Sequence, residues 1–146
     1  MADPPPPDDA ALGQLLRQAA NVATQRLAVA LAGQGVTAAE WALLHALHGA
    51  GAVPPSLLAE RLGATRGAVT RLVDRLRAKR LVVRAAAGGD DRRYQTVALT
   101  GAGARLVPVL AAITAQADAA LAASLPPRDR VRLAAMLKSL ARDARA

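Results

Sequence analysis

The sequence predicts a mainly α chain with one small β-hairpin. Three observations support this. Hydrophobic residues make up 53% of the 146, and most are Ala and Leu, which favour helix. Apolar residues recur at helical spacing through most of the chain. A β-forming, alternating pattern occurs in one window only, 81–99, directly after two short helices joined by a tight link. Helix, turn, helix and hairpin in that order make the hairpin a wing on a helix-turn-helix.

Residues 1–9, with Pro4-Pro5-Pro6-Pro7 and several acids, read as a disordered tail whose Asp8 or Asp9 can cap the following helix. From 10 to about 31, Leu12, Leu15, Leu16, Ala19, Val22, Ala23, Leu27, Ala30 and Leu31 form a helical stripe that Gly33 and Gly35 end. Thr37 and Glu40 have the spacing of a capping box. The helix they open runs to about His48 and carries Trp41, Leu44 and Leu47 inward. Val53-Pro54-Pro55 is extended, and a third helix runs from near Ser56 to Leu62. Thr65 caps a fourth helix, Arg66 to about Lys79. Strands over 81–86 and 94–99 flank a turn at Ala87-Gly88-Gly89-Asp90-Asp91. Thr100 caps a long helix reaching about Ala123, where Pro108 is expected to cause a kink or a break. Pro126-Pro127 opens a last helix with Val131, Leu133, Leu137 and Leu140 on one stripe.

Charge narrows the function. The chain carries +8, and between Arg61 and Arg93 ten basic residues face three acids, so +7 of the excess lies in this one segment. Such a segment attracts a polyanion by counterion release. The absence of Cys excludes disulfides, thiolate metal sites and thiol redox sensing. Metal ligation by His45 and His48 lacks further donors, so no metal is expected, nor any cofactor. No nucleophile–base pairing or phosphate loop is present, which argues against an enzyme. The start of the chain lacks the features of a signal peptide, and no uninterrupted apolar run is long enough to suggest a membrane span. A soluble cytoplasmic protein with no membrane partner is expected.

In the helix-turn-helix, Ala59 is small where the helices would cross and Gly63 permits the sharp turn. Leu58, Leu62, Val69 and Leu72 can lock the pair together. Arg66, Gly67, Thr70, Arg71 and Arg75 then face solvent. Arginine forks grip guanine edges or phosphates, Thr65 and Thr70 can bond phosphates or bases, and the open start of the helix favours a phosphate. Gly67 and Ala68 are small enough for a close approach of the backbone. Double-stranded DNA is therefore the expected partner.

The segment Leu57-Leu58-Ala59-Glu60-Arg61-Leu62-Gly63, followed by Val69–Leu76, resembles the helix-turn-helix of the multiple-antibiotic-resistance regulator (MarR) family. The family's wing pattern is Asp-x-Arg, five residues, Leu or Ile, Thr, two residues, Gly; Asp91, Arg93, Leu99, Thr100 and Gly103 reproduce it. The resemblance implies a ligand-responsive regulator, in most cases a repressor, acting on a pseudo-palindromic operator as a homodimer. It implies that Arg93, held by Asp91, enters the minor groove, with Arg92 on a nearby phosphate. It also implies that 10–36 and 101–146 are dimerisation helices around a winged domain at 37–100. Their apolar stripes and low net charge support this independently. A small-molecule effector would occupy a cavity between these parts, which Trp41 and His45 could line. One departure stands out: the family's Gly after the recognition helix is Arg80 here. A non-specific architectural DNA-binding protein is the alternative. A protein-interaction module would present an apolar face instead of Arg66, Arg71 and Arg75.

Overall fold

A computed structural model describes residue 5 and residues 9–86 and 95–143. The elements are α1 (Asp9–Ala32), α2 (Ala38–Leu47), α3 (Pro55–Leu62), α4 (Arg66–Ala78), β1 (Val82–Ala86), β2 (Gln95–Leu99), α5 (Gly101–Leu121) and α6 (Pro127–Asp143). All were expected in this order. Boundaries moved by one or two residues: α3 starts at Pro55, where proline's missing N–H costs nothing, and α5 ends at Leu121 rather than near Ala123.

The capping box forms as expected. Thr37 Oγ1 accepts from the Glu40 N–H at 3.1 Å, and the Glu40 carboxylate accepts from the Thr37 N–H at 3.1 Å. Two backbone donors with no partner in the helix are thereby satisfied. The turn between α3 and α4 depends on Gly63, which takes φ 60. Its N–H donates to Glu60 O and the Ala64 N–H to Ala59 O, the paired bonds that close a helix on a left-handed residue.

Leu43, Leu44, Leu47, Leu58, Val69, Val73 and Leu76 form the core of the winged domain, each 1% exposed or less. β1 and β2 pair antiparallel, Val82 opposite Leu99 through Ala86 opposite Gln95. A third extended segment joins them: Val53 exchanges two backbone hydrogen bonds with Val97, at 2.9 and 2.8 Å. The sequence marks 53–55 as extended but does not indicate this partner. It anchors the hairpin base to the connection between α2 and α3.

α1 packs on α5, which also meets α2 and β2. The break considered at Pro108 does not occur, and α5 runs unbroken through it. Proline leaves the Ala104 carbonyl without its helical donor, and Ala104 is exposed, so water can serve it. α5 also qualifies the membrane expectation. Over an 18-residue window its mean hydropathy is 1.3, long and apolar enough to span a membrane by length and composition, with only 17% of that window buried in this chain. α6 has no substantial contact with any other element. Its Val131, Leu133, Met136, Leu137 and Leu140 are all exposed.

Candidate nucleic-acid interface

The candidate interface is the outer face of α4. Val69, Leu72, Val73 and Leu76 turn inward, and the residues between them turn out. Thr65, Arg66, Gly67, Thr70, Arg71 and Arg75 are exposed, while Ala68 is half-buried. A Cβ at Gly67 would meet nothing within 4 Å. Packing within the chain therefore does not require glycine there.

The two threonines differ chemically. Thr65 Oγ1 accepts from the Ala68 N–H at 3.1 Å, which leaves its hydroxyl proton free for a phosphate oxygen. Thr70 Oγ1 donates to Arg66 O at 3.0 Å, so in this rotamer it offers an acceptor and a methyl group. A phosphate contact by Thr70, one of the two roles expected for it, would require the hydroxyl to rotate.

Two carboxylates pin the flanks of α4; sequence reasoning gave Glu40 only its capping role and Asp74 none. On one flank Glu40, 1% exposed, ion-pairs with Lys79 Nζ at 2.6 Å and with Arg75 Nε at 3.4 Å. Lys79 Nζ also donates to Gly35 O at 2.7 Å. Burial alone would raise the Glu40 pKa; the hydrogen bonds from Lys79 and the Thr37 backbone, with the charges of Lys79 and Arg75, outweigh it and hold the carboxyl below its usual value. Arg75 is thus a paired cation rather than a purely solvated one. On the other flank Asp74 accepts from Arg84 Nη2 at 3.0 Å and lies 3.7 Å from Arg77 Nη1. Arg84 Nε is buried with no hydrogen-bond partner among the described residues. A groove of about 640 Å³, lined in part by Arg77, Arg80 and Arg84, lies between α4 and the hairpin. The signals that could have found these pairs are modest: Glu40 is the only acid in α2 and Asp74 the only acid in α4.

The end of α4 explains the departure at position 80. Arg80 takes φ 59, the only non-glycine residue at positive φ among the described residues. The Arg80 N–H donates to Arg77 O and the Leu81 N–H to Leu76 O, both at 2.9 Å, so the cap usually built on glycine is completed with arginine. Thr100 Oγ1 then donates to Arg80 O at 2.7 Å and accepts from the Gly103 N–H at 3.0 Å. A Cβ on Gly103 would overlap the Leu81 carbonyl oxygen. Thr100 and Gly103 therefore fix where α5 starts relative to the end of α4.

Asp91, Arg92 and Arg93 lie outside the described residues. The Trp41 and His45 rings are tilted 51° with centroids 5.1 Å apart. Trp41 is half-buried against the core and His45 is exposed. One groove lies between α1 and α5, lined by Gln25, Arg26, Val29, Ala30, Ala117 and Ala120. No cluster of three potential metal ligands occurs among the described residues.

Residues 34–93 match the MarR family model. No curated protein matches the chain. Several solved structures resemble it. A mutant MarR from E. coli complexed with operator DNA is 28% identical with a TM-score of 0.81, covering 88% of this chain and 92% of that one. BpsR from Bordetella bronchiseptica, whose DNA binding is regulated by 6-hydroxynicotinic acid, is 25% identical with a TM-score of 0.81, covering 94% and 99%. A MarR-family regulator from Rhodococcus sp. RHA1 is 25% identical with a TM-score of 0.80, covering 90% and 93%.

Proposed function

This chain belongs to the MarR family of winged-helix, DNA-binding transcription regulators, and from that premise we propose that it is a ligand-responsive repressor that binds a pseudo-palindromic operator as a homodimer. The observation that carries this reading is the outer face of α4, where exposed Arg66, Gly67, Thr70 and Arg71 stand on a helix held at both flanks and closed by a rigid turn. Exposed arginine donors on a helix anchored at both flanks suit the major groove. Arg93 would enter the minor groove with Asp91 holding it, and Arg92 would meet a phosphate. Arg93→Ala is expected to weaken operator binding at least tenfold in a gel-shift assay while leaving the fold intact; unchanged binding would remove the wing from the interface.

Homodimerisation is supported by the exposed apolar residues of α1, α5 and α6, among them Leu12, Leu15, Val22, Leu121 and Leu137. One chain leaves these faces in water, and a two-fold partner would cover them. Two copies of α4 would then meet DNA about one turn apart, hence the pseudo-palindromic site. An effector would act by favouring a dimer shape with a different spacing of these helices. Trp41 is the chain's only tryptophan, so its fluorescence offers an unambiguous screen, beginning with 6-hydroxynicotinic acid. If random DNA competes as well as the operator, with steep salt dependence throughout, the protein is an architectural binder instead.

A further inference from the structure

Glu40 lies at the start of α2, outside the helix-turn-helix, yet its buried carboxylate pairs with Arg75 and Lys79 on a flank of α4. It is 1% exposed, whereas the Arg75 side chain it meets is 55% exposed. The contact uses Arg75 Nε, at 3.4 Å. A guanidinium carries five N–H donors, one on Nε and four on the terminal nitrogens. The pairing with Glu40 is Coulombic, with Nε the Arg75 atom in the ion pair, and neither terminal nitrogen is hydrogen-bonded to Glu40. The carboxylate itself is tightly held by Lys79 Nζ at 2.6 Å and the Thr37 N–H at 3.1 Å. Lys79 in turn donates to Gly35 O, which ties the anchor to the connection between α1 and α2.

We propose that Glu40 is a positioning residue of the DNA interface: it holds the Arg75 guanidinium by one edge so that the opposite edge meets the duplex in a fixed orientation. This rests on the sequence-specific DNA-binding reading above. A long side chain loses rotamer freedom when it binds, and one already oriented loses less. Bidentate reading of a guanine edge depends on the angle of the fork, so orientation affects discrimination between sequences more than general attraction to phosphate. A freely rotating Arg75 would still attract DNA, without the same selectivity.

The test uses the full-length protein, a duplex enriched by it from a random-sequence library, and unselected duplex of equal length. Glu40→Gln keeps the size and the acceptor for the Thr37 N–H but removes the charge. Its affinity for the enriched duplex is expected to fall roughly five- to tenfold, with affinity for unselected duplex unchanged or higher, because a negative charge near DNA is gone. In an Arg75→Ala background the same substitution should change the ratio of the two affinities less than about twofold, since coupled residues are non-additive. An unchanged ratio in Glu40→Gln overturns the proposal. So does a parallel loss on both duplexes, which a folding defect would give, or a tighter grip on the enriched duplex, which would mean that Glu40 withholds Arg75. NMR relaxation of the wild-type Arg side-chain Nε–H groups needs no variant: Arg75 should be more ordered than Arg71, which has no ion pair among the described residues, and equal mobility overturns the proposal. If the wild-type enriches no sequence, the operator reading fails and this inference falls with it. An enriched duplex with an unchanged ratio defeats this inference alone.

Discussion

At the scale of single residues, the proposed interface is defined as much by what is missing as by what is charged. Gly67 occupies the first turn of α4, where helix propensity favours almost any other residue, and nothing among the described residues fills the space its Cβ would take. Gly67→Ala is expected to leave the fold equally stable, or up to about 0.5–1 kcal/mol more stable, yet to weaken operator binding roughly tenfold by keeping the backbone off the duplex. Denaturation and gel-shift measurements on the same variant check the two halves separately. Opposite movements point to a surface shaped for a partner, and a loss of stability would show that packing required the glycine. Thr65 and Thr70 make a related point. Both read as hydroxyls in sequence, but Thr65 has committed a lone pair and Thr70 its proton, so in these rotamers Thr65 is the one that can donate to a phosphate.

At the scale of elements, the decisive junction is where α4, β1 and α5 meet. Arg80 in the left-handed region closes α4, Thr100 bonds across to its carbonyl, and Gly103 makes room for Leu81. A non-glycine residue there costs about 1–2 kcal/mol, partly offset because glycine loses more entropy on folding. Arg80→Gly should therefore stabilise the protein by about 0.5–1 kcal/mol, a rise in Tm of about 2–4 °C at this size. Calorimetry checks it, and an unchanged or lower Tm would mean that the Arg80 side chain returns more than its backbone costs. The sequence pattern Leu99-Thr100 with Gly103 pointed to this junction, but its reason lies in residues about twenty positions earlier. No periodicity links Arg80 to Thr100; the hairpin brings them together.

At the scale of the whole molecule, one chain forms a compact winged domain and leaves its outer helices partly uncovered. α6 is the extreme case, with Leu137 43% and Val131 73% exposed. Leu137→Glu places a charge on this face and is expected to convert the proposed dimer to a monomer in light scattering. With bivalent engagement lost, operator affinity should fall about a hundredfold or more, while the winged domain stays folded. A variant that remains dimeric with normal affinity would place the subunit interface elsewhere.

Much of this protein follows from its sequence alone. The order and extent of the elements, the capping residues Thr37, Thr65 and Thr100, the turn at Gly63 and the concentration of positive charge are all local, because helix propensity, capping and chain turning act over a few neighbouring residues. The outward face of α4 follows from its 3.6-residue period. Tertiary structure alone decided which charges meet. Glu40 reached Arg75 and Lys79, Asp74 reached Arg84, and Val53 paired with Val97, each pair except Asp74 with Arg84 separated by more than thirty positions. Ion pairs and ladder bonds depend on distance in space, and the packing of α2, α3 and the hairpin around one core sets that distance.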